Sequence, residues 1–383
     1  MRLGASLARL QRYVPTRYLA RARRTYYAAL PESRRRRAMA HWFRTQARRC
    51  RELDSTLYAD LLARAAGDLQ SGGPCWATLA GYQLDRDSPV DLPALRFMAA
   101  VHRLALEGRA PALAAEFAAP ETSLGTDRAW RALLDAVTSE RDAVRARLHD
   151  PVQTNEVGRC RTLLGGFLQI AHATGRPLRL LELGASAGLN LRWDHYRYET
   201  SRATWGPASS PVRFRYDFVD GHPSFAIDAR VVERRGCDLA PIDASAKEGQ
   251  LNLLAHVWAD QPERLRLLRA AFGVAQQVPV RVDRAPAEPW IAAALRIPAP
   301  GVTTVIFHSA FSLYVGRRAW TRLRGAIEEA GRRATPAAPL AWLRLEHAGA
   351  DYGLRLVTWP GATDRTLATA DAHGGHIRWL ASA

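Results

Sequence analysis

From His41 to about Phe117 the apolar positions recur at helical spacing, as in Leu57, Leu61, Leu62 and Ala65 and again in Leu95, Met98, Val101, His102 and Ala105. Gly72-Gly73-Pro74 and Asp91-Leu92-Pro93 interrupt this pattern, so three or more helices joined by short turns are predicted. Helical spacing continues over 130–148, stops at Pro151 and resumes over 156–173. Beyond Gly175-Arg176-Pro177 it gives way to short apolar runs at 178–183, 229–235, 278–282, 302–307, 340–345, 354–359 and 376–380. Helical stretches separate the first five runs, the mark of a parallel sheet covered on both faces. Only glycine-bearing chain separates the last two, which predicts a terminal hairpin. The expected α/β fold is thus a seven-stranded sheet preceded by a helical domain.

The segment 178–199, LRLLELGASAGLNLRWDHYRYE, reads as a strand, a glycine-bearing turn and a helix that make a small-ligand site. Gly184 permits a tight turn and close backbone approach, and a following helix would aim its N-terminal amides at the ligand. A phosphate loop of the Walker type is excluded, because Gly188 is followed by Leu189-Asn190 with no lysine. A dinucleotide fingerprint fits poorly, since its second glycine is Ser186 and a third is missing. Gly184-Ala185-Ser186-Ala187-Gly188 also matches the G-x-S-x-G elbow of serine hydrolases, with Ser186 as nucleophile and His308, His347, His373 or His376 as base. That reading stays an alternative, for an elbow on the first strand with only helices upstream is out of place.

Glu182-x-Gly184-x-Ser186-x-Gly188 resembles the first motif of class I S-adenosylmethionine-dependent methyltransferases, with serine at the middle glycine. The resemblance implies a Rossmann-like core, S-adenosylmethionine as cofactor, and Glu182, Gly184, Ser186 and Gly188 around it. Asp238, after the second strand, then takes the ribose hydroxyls, as a carboxylate accepting two hydrogen bonds from a cis-diol. A helix cap is its competing role. The long spacing from Gly184 to Asp238 makes 200–228 an insertion able to cover the pocket. Asp283 ends the third strand, near the adenine or as a plain turn residue. His308 and Ser309 end the fourth, where a histidine can orient or deprotonate an acceptor or simply serve the core.

Charge modifies this picture little. The chain carries +17, but residues 1–50 hold 14 Arg and one acid, Glu32, leaving about +4 for the rest. Lys247 is the only lysine, which points to a GC-rich coding bias and away from nucleic-acid binding by the folded body. Residues 1–38, with Arg34 to Arg37 in a row, read as a flexible basic extension. No apolar run reaches the length of a membrane span. Four scattered cysteines give neither a metal site nor a disulfide framework, and cytoplasmic localisation is expected.

With the strings Gln153-Thr154-Asn155-Glu156-Val157-Gly158-Arg159, ELGASAGLNLRWDHYRYE, Arg234-Arg235-Gly236-Cys237-Asp238-Leu239, Val257-Trp258-Ala259-Asp260-Gln261 and Phe307-His308-Ser309, residues 39–383 resemble the bacterial domain of unknown function 2332 family. Its core is similar to the methyltransferases, and no substrate comes with it. Asn155, Glu156 and Arg159 precede the helix into the first strand, placed to reach the methionine carboxylate or an acceptor, or to cap that helix. Arg192 follows the turn, and Asp260 and Gln261 stand before another helix as caps or ligand contacts. The expected domains are 39–150, helical, and 151–383, methyltransferase-like. The expected function is methyl transfer to an unidentified small-molecule acceptor, with a non-catalytic ligand sensor as the alternative from another class.

Overall fold

The computed structural model describes residues 27–83, 92–118 and 125–381. Residues 1–26 of the basic extension and Asp91 lie outside them. The chain divides into two compact units, one of residues 1–154 with 251–265, the other of 155–250 with 266–383.

The described part of the first unit is helical: α1 (Glu32–Glu52), α2 (Thr56–Ser71), α3 (Pro74–Leu79), α4 (Pro93–Leu106), α5 (Pro111–Ala118), α6 (Gly125–Ser139) and α7 (Arg141–Arg147). Helix α1 buries Met39, Ala40, Phe43, Ala47 and Cys50, and it begins inside the segment read as an extension, so Arg34 to Arg37 occupy its first turns. Residues 251–265 return to this unit, where Trp258 and Ala259 join its core. Asp260 caps α2, far away in sequence: its carboxylate accepts from Ser55 Oγ at 2.7 Å and Leu57 N at 3.0 Å. Gln261 donates to Leu53 O. The Val257–Gln261 string therefore stitches a distant segment to the helices.

The second unit holds α8 (Cys160–Thr174), β1 (Leu178–Leu183), β2 (Arg197–Glu199), β3 (Thr204–Trp205), β4 (Arg213–Arg215), β5 (Val231–Asp238), β6 (Arg281–Arg284), α11 (Ala287–Ala294), β7 (Thr303–Ser309), α12 (Arg317–Arg332), β8 (Leu340–Ala348), β9 (Asp351–Trp359), β10 (Thr363–Ala370) and β11 (Arg378–Trp379). Helices α9 (Lys247–Ala255) and α10 (Pro262–Gln277) straddle the division between the units. The main sheet has the order β11-β10-β9-β8-β7-β1-β5-β6. Five strands from β6 to β8 run parallel, and the others are antiparallel. Strands β1 and β7 are buried almost throughout, which is why both read as continuous apolar runs.

The sheet has eight strands where seven were expected. Strands β8 and β9 form a hairpin with Ala348 opposite Asp351, and β10, unexpected, pairs with β9. Its first half, Thr363 to Thr366, is exposed and polar and carries no apolar alternation to reveal it. The run at 376–380 shrinks to the two residues of β11, paired with β10, so a meander replaces the terminal hairpin. The insertion at 200–228 supplies β3 and β4, which flank β2, just before it, in a small sheet of order β3-β2-β4. It is anchored by an aromatic stack in which Trp193 lies 4.4 Å from Phe167 and 5.2 Å from Trp205, centroid to centroid.

Candidate functional site

From β1 the chain moves to β5 and β6 on one side, then returns to β7 and β8 on the other. The carboxyl ends of β1 and β7 thus bound a topological switch point, where open α/β sheets leave a crevice for ligands. The glycine turn emerges there. Gly184 and Gly188 have φ of +67° and +66°, and Ser186, at +52°, is a non-glycine residue in the same left-handed region. A Cβ on Gly184 would lie 2.6 Å from Phe311 Cδ2, so the Phe311 ring fills the space in front of the turn.

The helix expected after the turn is a short 3-10 segment, Asn190–His195, with Arg192 itself outside helical geometry. The reason is visible in spacing: Leu189, Leu191 and Trp193, then Tyr196 and Tyr198, alternate, and all are buried. Tyr196 OH donates to Leu189 O and Tyr198 OH to Trp193 O, satisfying carbonyls that an α-helix would have used. No helix N-terminus is aimed at a ligand here. The turn's amides have protein acceptors instead: Ala187 N and Leu189 N donate to Asn155 Oδ1 at 3.2 and 2.9 Å. Ser186 N donates to Asp238 Oδ2 at 2.9 Å, and Ala240 N to Asp238 Oδ1. Arg192 clamps the same turn through Ala187 O and Gly188 O, and reaches Val278 O.

Beneath the turn sits Glu182, 2% exposed, with no hydrogen-bond partner on Oε2. Burial, reinforced by the Asp238 carboxylate, pushes its pKa well above the usual carboxylate range, while Arg192, Arg159 and a hydrogen bond from Asn190 pull it down without prevailing. Ser186 Oγ is also buried without a partner, so no histidine hydrogen-bonds to it. Arg159 reaches Ser309 Oγ at 3.5 Å and Ala372 O at 3.0 Å. Glu156 caps the 3-10 turn Val157–Arg159 by accepting from Gly158 N.

Two predicted residues stand apart. Asp283 accepts from Trp290 Nε1 at 2.7 Å, Arg281 Nε at 2.6 Å and Arg235 at 3.0 Å. The Trp290 bond, with those from the arginines, outweighs its partial burial and lowers its pKa to about 2. His308 lies on the opposite side of β7 from Ser309, as strand alternation requires. It is fully buried, ringed by Phe311, Trp320 and Trp342, with Nδ1 2.5 Å from Glu346 Oε1 and no partner on Nε2.

Glu346, which no motif signalled, organises the chain after β7. Its carboxylate accepts from Phe311 N at 2.9 Å and from Ser312 N and Oγ at 3.2 and 2.6 Å, besides His308. Burial raises its pKa, but the His308 and Ser312 contacts outweigh that, and the net shift is downward. The one acid in the strand Leu340–Ala348, closing the run that begins Leu340-Ala341-Trp342-Leu343, was the available signal. Among the described residues no group of three or more histidine, cysteine or acidic side chains is placed to hold a metal, and no helix is long and apolar enough to cross a membrane.

A family model described as uncharacterized protein conserved in bacteria (DUF2332) matches residues 40–379, and the chain belongs to that family. No curated protein and no solved structure matches the chain.

Proposed function

Taking membership of that family as the premise, we propose that the second unit binds S-adenosylmethionine at the carboxyl edge of β1, β5 and β7 and transfers its methyl group to a small-molecule acceptor. The observation that carries the reading is Glu182: a buried carboxyl whose Oε2 lacks a partner, set beneath a left-handed glycine turn at a switch point. An unsatisfied buried acceptor costs about 1–3 kcal/mol, and a ligand donating to it removes that cost. A cationic ammonium group is the natural donor to an acid.

The residues fit the cofactor at three places. Gly184 allows close approach to the turn once the Phe311 ring moves aside. Asp238 is fixed by Ser186 N and Ala240 N, and since a carboxylate accepts about four hydrogen bonds, these two are compatible with ribose hydroxyls as well. Glu182 receives the charged end. Asp283 is left out of this set, its carboxylate being engaged by three donors. When bound, the cofactor supplies an electrophilic methyl group on a sulfonium. The protein's share is positioning, which in an in-line displacement provides most of the acceleration: Arg159 and Ser309 orient the acceptor, and Asn155 and Arg192 keep the turn rigid.

Calorimetric titration of S-adenosylmethionine into the wild type and Asp238→Ala tests the reading. Binding by the wild type, weakened tenfold or more in the variant, is expected. No heat with the wild type refutes cofactor binding, and equal binding by both refutes the ribose assignment. One observation favours ligand binding without turnover: His308, the candidate base, faces the other side of the sheet and is sealed by aromatic rings. Formation of S-adenosylhomocysteine in a metabolite-supplemented assay separates the two. Labelling of Ser186 by a fluorophosphonate would instead revive the hydrolase.

A further inference from the structure

We propose that the exposed face of α1 binds the phosphate backbone of nucleic acid. Arg34, Arg37, His41, Arg44 and Arg48 follow one another at three- and four-residue intervals and are all exposed, so they form a single stripe, which Arg49 widens. From Arg34 to Arg49 it spans about 22 Å at the helical rise of 1.5 Å per residue. No acid occurs between Glu32 and Glu52.

What distinguishes this stripe from an ordinary solvated face is its pairing. On and just after α12 most surface arginines meet carboxylates, Arg322 pairing with Glu288, Arg324 with Glu328, and Arg332 and Arg333 with Glu329, and among the described residues only Arg317 and Arg318 at its start are left out. On α1 only the ends are neutralised, Arg36 by Glu32 and Arg51 by Asp60. Among the described residues, Arg34, Arg37, Arg44, Arg48 and Arg49 meet no carboxylate. Arg37 donates to Ser33 O, Arg44 to Gln70 Oε1 and Arg48 to Thr45 Oγ1, all neutral acceptors. Coding bias explains arginine in place of lysine, but not five guanidinium groups left without counter-charge on one rigid face.

The occupant follows from the other side of the helix. A membrane-surface helix needs its apolar face for the lipid, and that face of α1 is committed to the protein core through Met39, Phe43, Ala47 and Cys50. The exposed face is dominated by guanidinium groups, with His41 among them, and guanidinium groups match phosphate oxygens as bidentate donors. A linear polyanion is the complementary partner.

The test is fluorescence anisotropy of a labelled, mixed-sequence 20-base-pair DNA duplex with the full chain. Five phosphate contacts give a slope of log K against log salt near −4.5, or roughly 500-fold weakening between 50 and 200 mM. Replacing Arg34, Arg37, Arg44 and Arg48 with Gln, with folding verified by circular dichroism, leaves about one contact and only about a fourfold dependence. Removing the same charge from α12 (Arg317, Arg318, Arg324 and Arg332 to Gln) should leave the slope unchanged. The proposal is overturned if the wild type does not bind at 50 mM salt, if the α1 variant keeps its slope, or if both variants lose it alike. Binding to vesicles containing one third phosphatidylserine but not to the duplex would overturn it in favour of a membrane.

Discussion

Replacing Glu346 with Ala removes the acceptor for four donors at once, and its cost can be worked from the geometry. His308 Nδ1 is fully enclosed and Phe311 N lies against the sheet edge, at 2.5 and 2.9 Å from the carboxylate. Each buried donor left without an acceptor costs about 1–3 kcal/mol, and the Ser312 groups, nearer solvent, recover water at small cost. A loss of about 4 kcal/mol is expected, which for a unit of roughly 200 residues lowers the melting temperature by about 8–16 °C. Differential scanning calorimetry at pH 7 reads this directly. The Glu346 pKa is depressed in the folded state, so its stabilisation is complete above the unfolded value, near 4.3, and is lost as pH falls through the folded value. The gap between wild type and variant should therefore narrow in acid. A fall below about 2 °C at pH 7, or a gap that widens on acidification, would refute the view that Glu346 holds the Phe311 segment against Gly184.

Asn155→Ala should expose the Ala187 and Leu189 amides to faster hydrogen exchange and cost roughly 1–3 kcal/mol for each amide left without an acceptor; unchanged protection of both would show that the turn holds itself. Glu182→Gln keeps the shape and removes the charge. Because the folded pKa of Glu182 is raised, the wild type loses stability as pH climbs above the unfolded value, near 4.3, toward the folded one. The variant should gain on it over that range in thermal melts, and a difference independent of pH would contradict the shift. Asp283→Asn should lower stability above about pH 4, where the depressed carboxylate stabilises the fold, yet leave S-adenosylmethionine affinity unaltered; weakened binding would place Asp283 at the cofactor after all.

Burial on both faces made β1 and β7 legible as apolar runs, and the helical period exposed α2 and α4. What escaped was set by pairing and packing that the local pattern does not carry. Strand β10 is polar along its outer half, so only its pairing with β9 defines it. Asp260 precedes a helix of its own and looks like its cap, yet its carboxylate serves α2, about 200 residues earlier. The helix predicted after the turn failed for a local reason that was present in the residues. From Leu189 to Tyr198 the large apolar groups alternate, and two left-handed glycines together with Ser186 had already turned the chain.

The site itself turns on register, which the sequence does not contain. Strand alternation says that His308 and Ser309 face opposite sides, and no more than one can share a side with Glu182. The pairing of β1 with β7 sets Glu182 opposite Phe307, and neighbouring residues in register point the same way. Phe307 and Ser309 therefore accompany Glu182 toward α8, where Phe307 meets Phe167 edge-on. His308 is turned toward α12 and Trp320. A one-residue slip would exchange the two and give the turn a histidine base. In the observed register the polar groups around Glu182 include Asn155, Arg159, Ser186, Asn190, Arg192, Asp238 and Ser309. On the proposed reading, any proton that an acceptor loses there would pass to a carboxylate or to solvent, while Glu346, which accepts from both His308 and Phe311 N, fixes the backbone beside the turn.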